Sequence, residues 1–137
     1  MKSIYSVLVA LLLLAPVAQA EVVIIGHTGG PDAISLDQVR NIYLNRSKEM
    51  PDSQRATPFE LPEGNATRDA FHSAVTGRSN AQLKAFWSQQ VFTGKGQPPQ
   101  EVNDAAAMKA SVSSTLGSVG YIDSTQVDDS VKVILKP

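Results

Sequence analysis

Gly64-Asn65-Ala66-Thr67-Arg68 gathers more binding chemistry than any other run of the chain. A helix opening here points unpaired N–H groups, and a partial positive charge, at whatever lies before it. Gly64 lets the backbone approach closely, Asn65 adds an amide and Thr67 a hydroxyl, and Arg68 can present a two-pronged guanidinium. Together they suit an oxyanion such as phosphate or sulfate. The competing reading is a plain helix start, with Asn65 or Thr67 as the cap and Arg68 paired with Glu63 or Asp69. The two readings part on one point. The binding site requires free main-chain donors where this helix opens, with Arg68 aimed at the same place. A carboxylate already filling that place, or Arg68 turned into solvent, removes the site.

Other chemistries find less support. The chain has two histidines, His27 and His72, far apart in sequence, and no cysteine. Neither histidine belongs to an HExxH pattern and no CxxC exists, so no metal and no cofactor are expected. No GxSxG elbow is present, and Ser35, Ser47 and Ser73 read as capping or surface residues. Glu60 and Glu63 flank Pro62 as a conceivable acid/base pair, but their spacing says nothing about proton affinity. The expectation is a protein without enzymatic activity. Thr28-Gly29-Gly30-Pro31 reads first as a connection, although paired glycines also let backbone approach a ligand. Trp87, the single tryptophan, is expected in the core.

The elements that must position these residues follow from pattern. Val22 to Ile25 is a continuous β-branched run suited to an interior strand. Ser35 and Gln38 form a capping box, with Ile34 and Val39 as a hydrophobic staple, so a helix is predicted to run to Leu44 or Asn45. Arg46 to Arg55 is a polar loop. Residues 56–61 read as a short strand, with Pro58 at an edge or a start. A second helix follows Asn65, with Ala70, Phe71, Ala74 and Val75 inward and Gly77 ending it. A third is capped by Asn80, with Leu83, Phe86 and Trp87 on one face, and residues 92–99 form a long turn. A fourth helix spans about 104–115, and strands at 119–123 and 131–135 close the chain. Strands alternating with helices predict one three-layer α/β domain with a mixed, mostly parallel sheet flanked by helices.

Lys2, the apolar run Val7–Leu14, Pro16 and Ala18-Gln19-Ala20 read as a signal peptide over residues 1–20, cleaved after Ala20. A retained anchor is the weaker alternative, because a span takes roughly 20 apolar residues. No cysteine follows the run, which closes the lipoprotein route. The periplasm is therefore the expected location, with residues 21–137 as one domain and no stable membrane insertion after cleavage. The chain carries 12 basic and 13 acidic residues. That balance argues against a nucleic-acid binder, which needs excess positive charge. Without cysteine there is no disulfide framework.

Three stretches, in order, resemble the periplasmic substrate-binding proteins of phosphate transporters, and more closely their short, roughly single-lobe members. Ser35-Leu36-Asp37-Gln38-Val39-Arg40-Asn41-Ile42-Tyr43-Leu44 looks like the helix that precedes an IF-x-G turn in that family. Glu63-Gly64-Asn65-Ala66-Thr67-Arg68-Asp69-Ala70-Phe71 looks like its GSGT-R-x-x-F anion loop. Leu116-Gly117-Ser118-Val119-Gly120-Tyr121-Ile122 looks like its PGAIGY strand entry. The resemblance implies part of a periplasmic-binding-protein fold, capture of an oxyanion in a cleft between two lobes, and delivery to a membrane permease. By position, Asn65 and Thr67 match the Ser and Thr of the anion loop, and Arg68 matches the residue after it.

The departures have physical consequences. Asn65-Ala66-Thr67 stands where the family has Ser-Gly-Thr, exchanging a hydroxyl for an amide and adding a methyl. The lobe that would supply about half of the donors is missing, so an anion would stay half hydrated unless a second copy or another protein closes the site. Thr28 and Gly29 are the candidates for substitute donors, from the mouth of the first strand. Two functions remain: oxyanion binding as a transport accessory or sensor, or a periplasmic adaptor that keeps the fold without a small ligand. An exposed apolar patch favours the second.

Overall fold

A computed structural model of the chain describes residues 21–137, so the leader assigned to residues 1–20 lies outside the described residues. The capping signals are the most literal link between sequence and structure. The Ser35 hydroxyl accepts from the N–H of Gln38 at 3.1 Å, and the Gln38 side chain accepts from the N–H of Ser35 at 2.9 Å. They start α1 (Leu36–Tyr43), and both staple residues, Ile34 and Val39, are buried. Asn65 caps α2 (Ala66–Ala74), and Asp104 caps α4 (Ala105–Ser114).

The third helix corrects the sequence reading. Ser79, not Asn80, is its cap, because Ser79 and Gln82 form a second reciprocal capping box and make Asn80 the first residue of α3 (Asn80–Phe92). In α2 the inward positions are Phe71, His72 and Val75. Ala74, expected inside, is exposed, since the helical period puts it one step off the buried face.

The strands β1 (Val22–Gly26), β2 (Thr57–Glu60), β3 (Gln100–Glu101), β4 (Ser118–Asp123) and β5 (Lys132–Leu135) form one sheet in the order β3-β2-β4-β1-β5. It is mixed. β2 runs parallel to β3 and β4, whereas β1 runs antiparallel to β4 and β5 over longer ladders. The sheet is thus less parallel than the alternation of elements suggests, because β1 enters against β4. β1 is interior, and Pro58 sits near the start of β2, where the short β3 leaves its N–H side unpaired.

Helices cover both sheet faces. On one, Gly120 leaves room for α4: a methyl there would lie 2.6 Å from Met108 Sδ and 3.0 Å from Val112 Cγ2. On the other, Tyr121 stacks on Phe71 of α2 with ring centroids 4.0 Å apart, and Tyr43 of α1 tilts against Phe71 at 4.7 Å. With both faces occupied, α3 has no sheet to pack on. Leu83 is its one buried residue, and α3 contributes nothing to the buried core cluster. Trp87, expected in the core, is therefore only half-buried.

Gly117 sets the entry to β4. Its φ is +81°, and its carbonyl accepts from Thr57 N–H at 3.0 Å, which registers β2 beside β4. A Cβ at this position would collide with the Arg55 carbonyl oxygen. Gly117→Ala is expected to lower the unfolding free energy by about 2 kcal/mol, combining left-handed strain with overlap. A urea midpoint unchanged from wild type would contradict this.

Candidate functional site

β2 ends on Glu60 and the chain passes through Leu61-Pro62 into the Asn65 cap, so the last strand residue and the first turn of α2 face one small region. The cap is closed on itself. Asn65 Oδ1 accepts from Thr67 N–H at 2.9 Å and from Arg68 N–H at 3.3 Å, and Asn65 O accepts from Asp69 N–H at 3.1 Å. Asn65 N–H donates to Pro62 O at 3.1 Å. The cluster of free main-chain donors expected at this helix opening is therefore largely engaged. Asn65 caps the helix, so this part of the competing reading holds.

Arg68 turns away from the helix start and back toward the end of β2. Its Nη1 donates to Leu61 O at 2.9 Å, and its Nε stands 4.0 Å from Glu60 Oε1, buried and without a hydrogen-bond partner. Its side chain is 13% exposed. The partners weighed from sequence, Glu63 and Asp69, are not the ones it meets; Glu63 instead pairs with Lys84 at 3.8 Å.

Glu60 anchors a buried polar cluster. Its Oε1 accepts from His72 Nε2 at 2.6 Å and from Tyr121 Oη at 2.7 Å, and Tyr121 Oη accepts in turn from Leu61 N–H at 3.0 Å. His72 Nδ1 faces Thr76 Oγ1 at 2.9 Å. Burial pushes the Tyr121 phenol far above its ordinary range, and the nearby Glu60 charge pushes it further; the same two causes raise Tyr43. Tyr121 thus remains a hydrogen-bond donor throughout the physiological range. Tyr43 Oη donates to Phe59 O at 2.6 Å, which ties α1 to the same strand.

Beside Arg68 lies a groove of about 550 Å³, walled by Leu83, Lys84, Trp87, Val91 and Phe92 of α3 and by Glu63. Its wall is mainly apolar, and Phe92 is 91% exposed and Val91 45%. A second hollow of about 460 Å³ lies on the other side of Trp87, lined in part by Asn45, Lys48, Arg55, Thr57 and Gln97.

The structure separates the remaining candidates. Gly26 is registered with Val119, and Thr57 with Ser118, so Thr28 and Gly29 leave the sheet at the end where β2 and β4 begin. Gly64, Asn65, Ala66, Thr67 and Arg68 lie past the opposite end of β2. Thr28 and Gly29 therefore do not complete the Asn65–Arg68 region. Gly29 instead lies near Leu116, and its N–H donates to His27 Nδ1 at 2.9 Å. The same register keeps His27 and His72 apart. Glu63 is exposed, so it forms no acid/base pair with the buried Glu60. Among the described residues no group of three or more His, Asp and Glu could hold a metal ion.

The Glu60–His72–Tyr121 cluster was not read from sequence, although two signals point to it. Glu60 stands between Phe59 and Leu61 in an otherwise apolar strand end. Arg68 and His72 are spaced i, i+4, hence on one face of α2.

No family model matches the sequence, and no curated protein matches it. Solved structures do. A phosphate ABC transporter substrate-binding protein with bound phosphate from Clostridium perfringens superposes with a TM-score of 0.66 at 22% identity, over 84% of this chain and 44% of that one. An ABC-type phosphate transport receptor from Vibrio cholerae gives 0.67 at 20% identity, over 84% and 45%. PstS from Borrelia burgdorferi gives 0.62 at 8% identity, over 84% and 46%. The chain spans less than half the length of these proteins. What it shares with them is the fold: an open, mixed α/β sheet flanked by helices, the architecture of one part of a phosphate-transport substrate-binding protein.

Proposed function

We propose that this chain binds phosphate or a similar oxyanion in the periplasm, as a transport accessory or sensor. The observation that carries the reading is Arg68. Its guanidinium has Nη1 committed to Leu61 O and Nε buried facing Glu60, which leaves Nη2 without a hydrogen bond among the described residues, and the side chain lines a groove across which Lys84, paired with Glu63, adds a second cation. A neighbour of the same fold has bound phosphate, which supports the choice of ligand class. The periplasm is inferred from the leader pattern of residues 1–20. Among the described residues no helix is long and apolar enough to cross a membrane.

The ligand site proposed centres on Arg68 and the groove it lines; Gly64, Asn65, Ala66 and Thr67 lie just before Arg68 at the opening of α2, outside that lining. Because Asn65 Oδ1 already holds two amides, an anion gains them only by displacing the carboxamide. Binding is therefore expected to be weak for the isolated chain, with a permease or a second copy as the partner that would enclose the anion. The reading is of binding without catalysis, supported by the similarity in fold to the substrate-binding protein from Clostridium perfringens.

Titration with phosphate and with sulfate, followed by calorimetry and melting temperature, tests this. Saturable binding is expected, weakened in Arg68→Ala by about 1–3 kcal/mol for loss of a charged hydrogen bond. Absence of any response at millimolar anion eliminates the reading.

A second reading is favoured by a different observation. α3 stands outside the core and carries Phe92 and Val91 into solvent beside Trp87, the apolar patch expected of a protein-interaction module. That module gives no anion response, but a self-association or pull-down signal that Phe92→Ser abolishes.

A further inference from the structure

Arg68, His72 and Tyr121 converge on Glu60 Oε1, and the binding reading above uses only the first of them. Two donors reach that oxygen at hydrogen-bond distance, His72 Nε2 at 2.6 Å and Tyr121 Oη at 2.7 Å, while Arg68 Nε stops at 4.0 Å. Glu60 is 4% exposed and His72 5%. A buried cationic N–H without an acceptor is unfavourable, so Arg68 is kept in place by what surrounds it. Leu61 O holds Nη1, and the Glu60 charge attracts the rest of the guanidinium.

The charge balance of this group depends on His72. With the imidazole neutral, Glu60 and Arg68 cancel. With the imidazole protonated, a cation sits in direct contact with the oxygen that Arg68 only approaches. Coulomb energy falls with distance, so the closer cation dominates the neutralisation of Glu60. The group then carries net positive charge beside the groove.

We propose that Glu60 is a positioning residue for Arg68, and that protonation of His72 strengthens oxyanion binding at Arg68 by relieving Glu60's hold on the guanidinium. This rests on the reading of Arg68 as the anion ligand. The groups facing His72 are Arg68 from α2, Thr76 from the turn that follows it, Glu60 from β2, and Tyr121 from β4 through Glu60. Tyr43 of α1 also feels the Glu60 charge. Both phenols stay neutral and Thr76 has no charge, so the positive charges that can face Glu60 Oε1 are those of Arg68 and of a protonated His72. At the groove rim Lys84 and Glu63 form an exposed ion pair at 3.8 Å, on α3 and on the loop before α2.

Sulfate is the probe, because it keeps its full charge from about pH 5 to 8, the window in which histidine changes charge. Wild-type chain is expected to bind sulfate about 5-fold or more tighter at the acid end than at the alkaline end, the scale of a typical coupling. His72→Gln should melt as a folded protein and bind with no such slope. Arg68→Ala should bind sulfate roughly 5- to 150-fold more weakly at both ends. A flat wild-type profile, or a His72→Gln chain that keeps the slope, overturns the inference and leaves the Arg68 reading standing.

Failure of wild-type chain to bind sulfate at any pH removes the Arg68 reading instead. The positioning claim is then decided without ligand, by nitrogen NMR of the Arg68 Nε–H. Its resonance is expected to move with the same midpoint as the His72 ring, and to lose that movement in Glu60→Gln. A resonance indifferent to the His72 titration overturns the claim.

Discussion

Phe71→Ala is expected to lower the unfolding free energy by about 3–5 kcal/mol, the cost of emptying a large aromatic site that cannot collapse. Phe71 is fully buried, stacked on Tyr121 at 4.0 Å with an interplanar angle of 7° and in tilted contact with Tyr43 at 4.7 Å. It is the side chain through which α2 grips both β4 and α1. Its loss leaves a void under the sheet face that holds the Glu60 cluster. Small domains are stable by roughly 5–15 kcal/mol, so the variant should sit near the edge of folding at ambient temperature. Urea denaturation followed by circular dichroism reads the effect. Phe71→Leu should recover much of it, since it refills most of the volume. A midpoint near wild type for Phe71→Ala would mean that α2 is held by something other than this aromatic stack.

Glu60→Ala is expected to have an effect of similar size by a different route. It removes the shared acceptor of His72 Nε2 and Tyr121 Oη and the counter-charge of Arg68, all in a buried setting. Removing one member of a buried charged group costs about 3–5 kcal/mol, most of it the penalty of leaving the other members unpaired. Glu60→Gln separates charge from hydrogen bonding. Its carbonyl oxygen still accepts from Tyr121 and His72, so it should retain more stability than Glu60→Ala. Thermal melts of the two variants side by side read the difference. Equal melting temperatures would show that the negative charge, and not the acceptor, keeps the cluster together.

Both predictions concern the same few ångströms, because the fold makes them share a region. β2 delivers Glu60, its exit loop delivers the Leu61 carbonyl, and the first and second turns of α2 deliver Arg68 and His72. The Asn65 cap that starts this helix also closes its donors against an anion. This chain therefore departs from an open anion loop in a specific way: its positive feature is an arginine side chain beside a groove rather than a ring of amides. The exposed wall of that groove on α3 makes it suited to be covered.

The sequence by itself determined what depends on neighbours along the chain. The Ser35–Gln38 capping box, the run of strand residues from Val22, the Asn65 cap and the stop near Gly117 are local events, set by side chains reaching backbone one to four residues away. The three-layer α/β class followed from the alternation of such elements. Even at α3 the difference is between adjacent residues, with Ser79 as the cap and Asn80 as the first helical position.

Tertiary structure alone decided which distant residues meet. Tyr121 lies 61 residues from Glu60, and nothing in the local pattern of either one announces the other. The antiparallel entry of β1 sends Thr28 and Gly29 to the far end of the sheet, which no run of residues can reveal, because strand direction is set by pairing across the sheet. Trp87 was left half-buried for the same reason: α1 and α2 fill one face and α4 the other, and a helix buries its aromatic residues only if a surface remains to receive them.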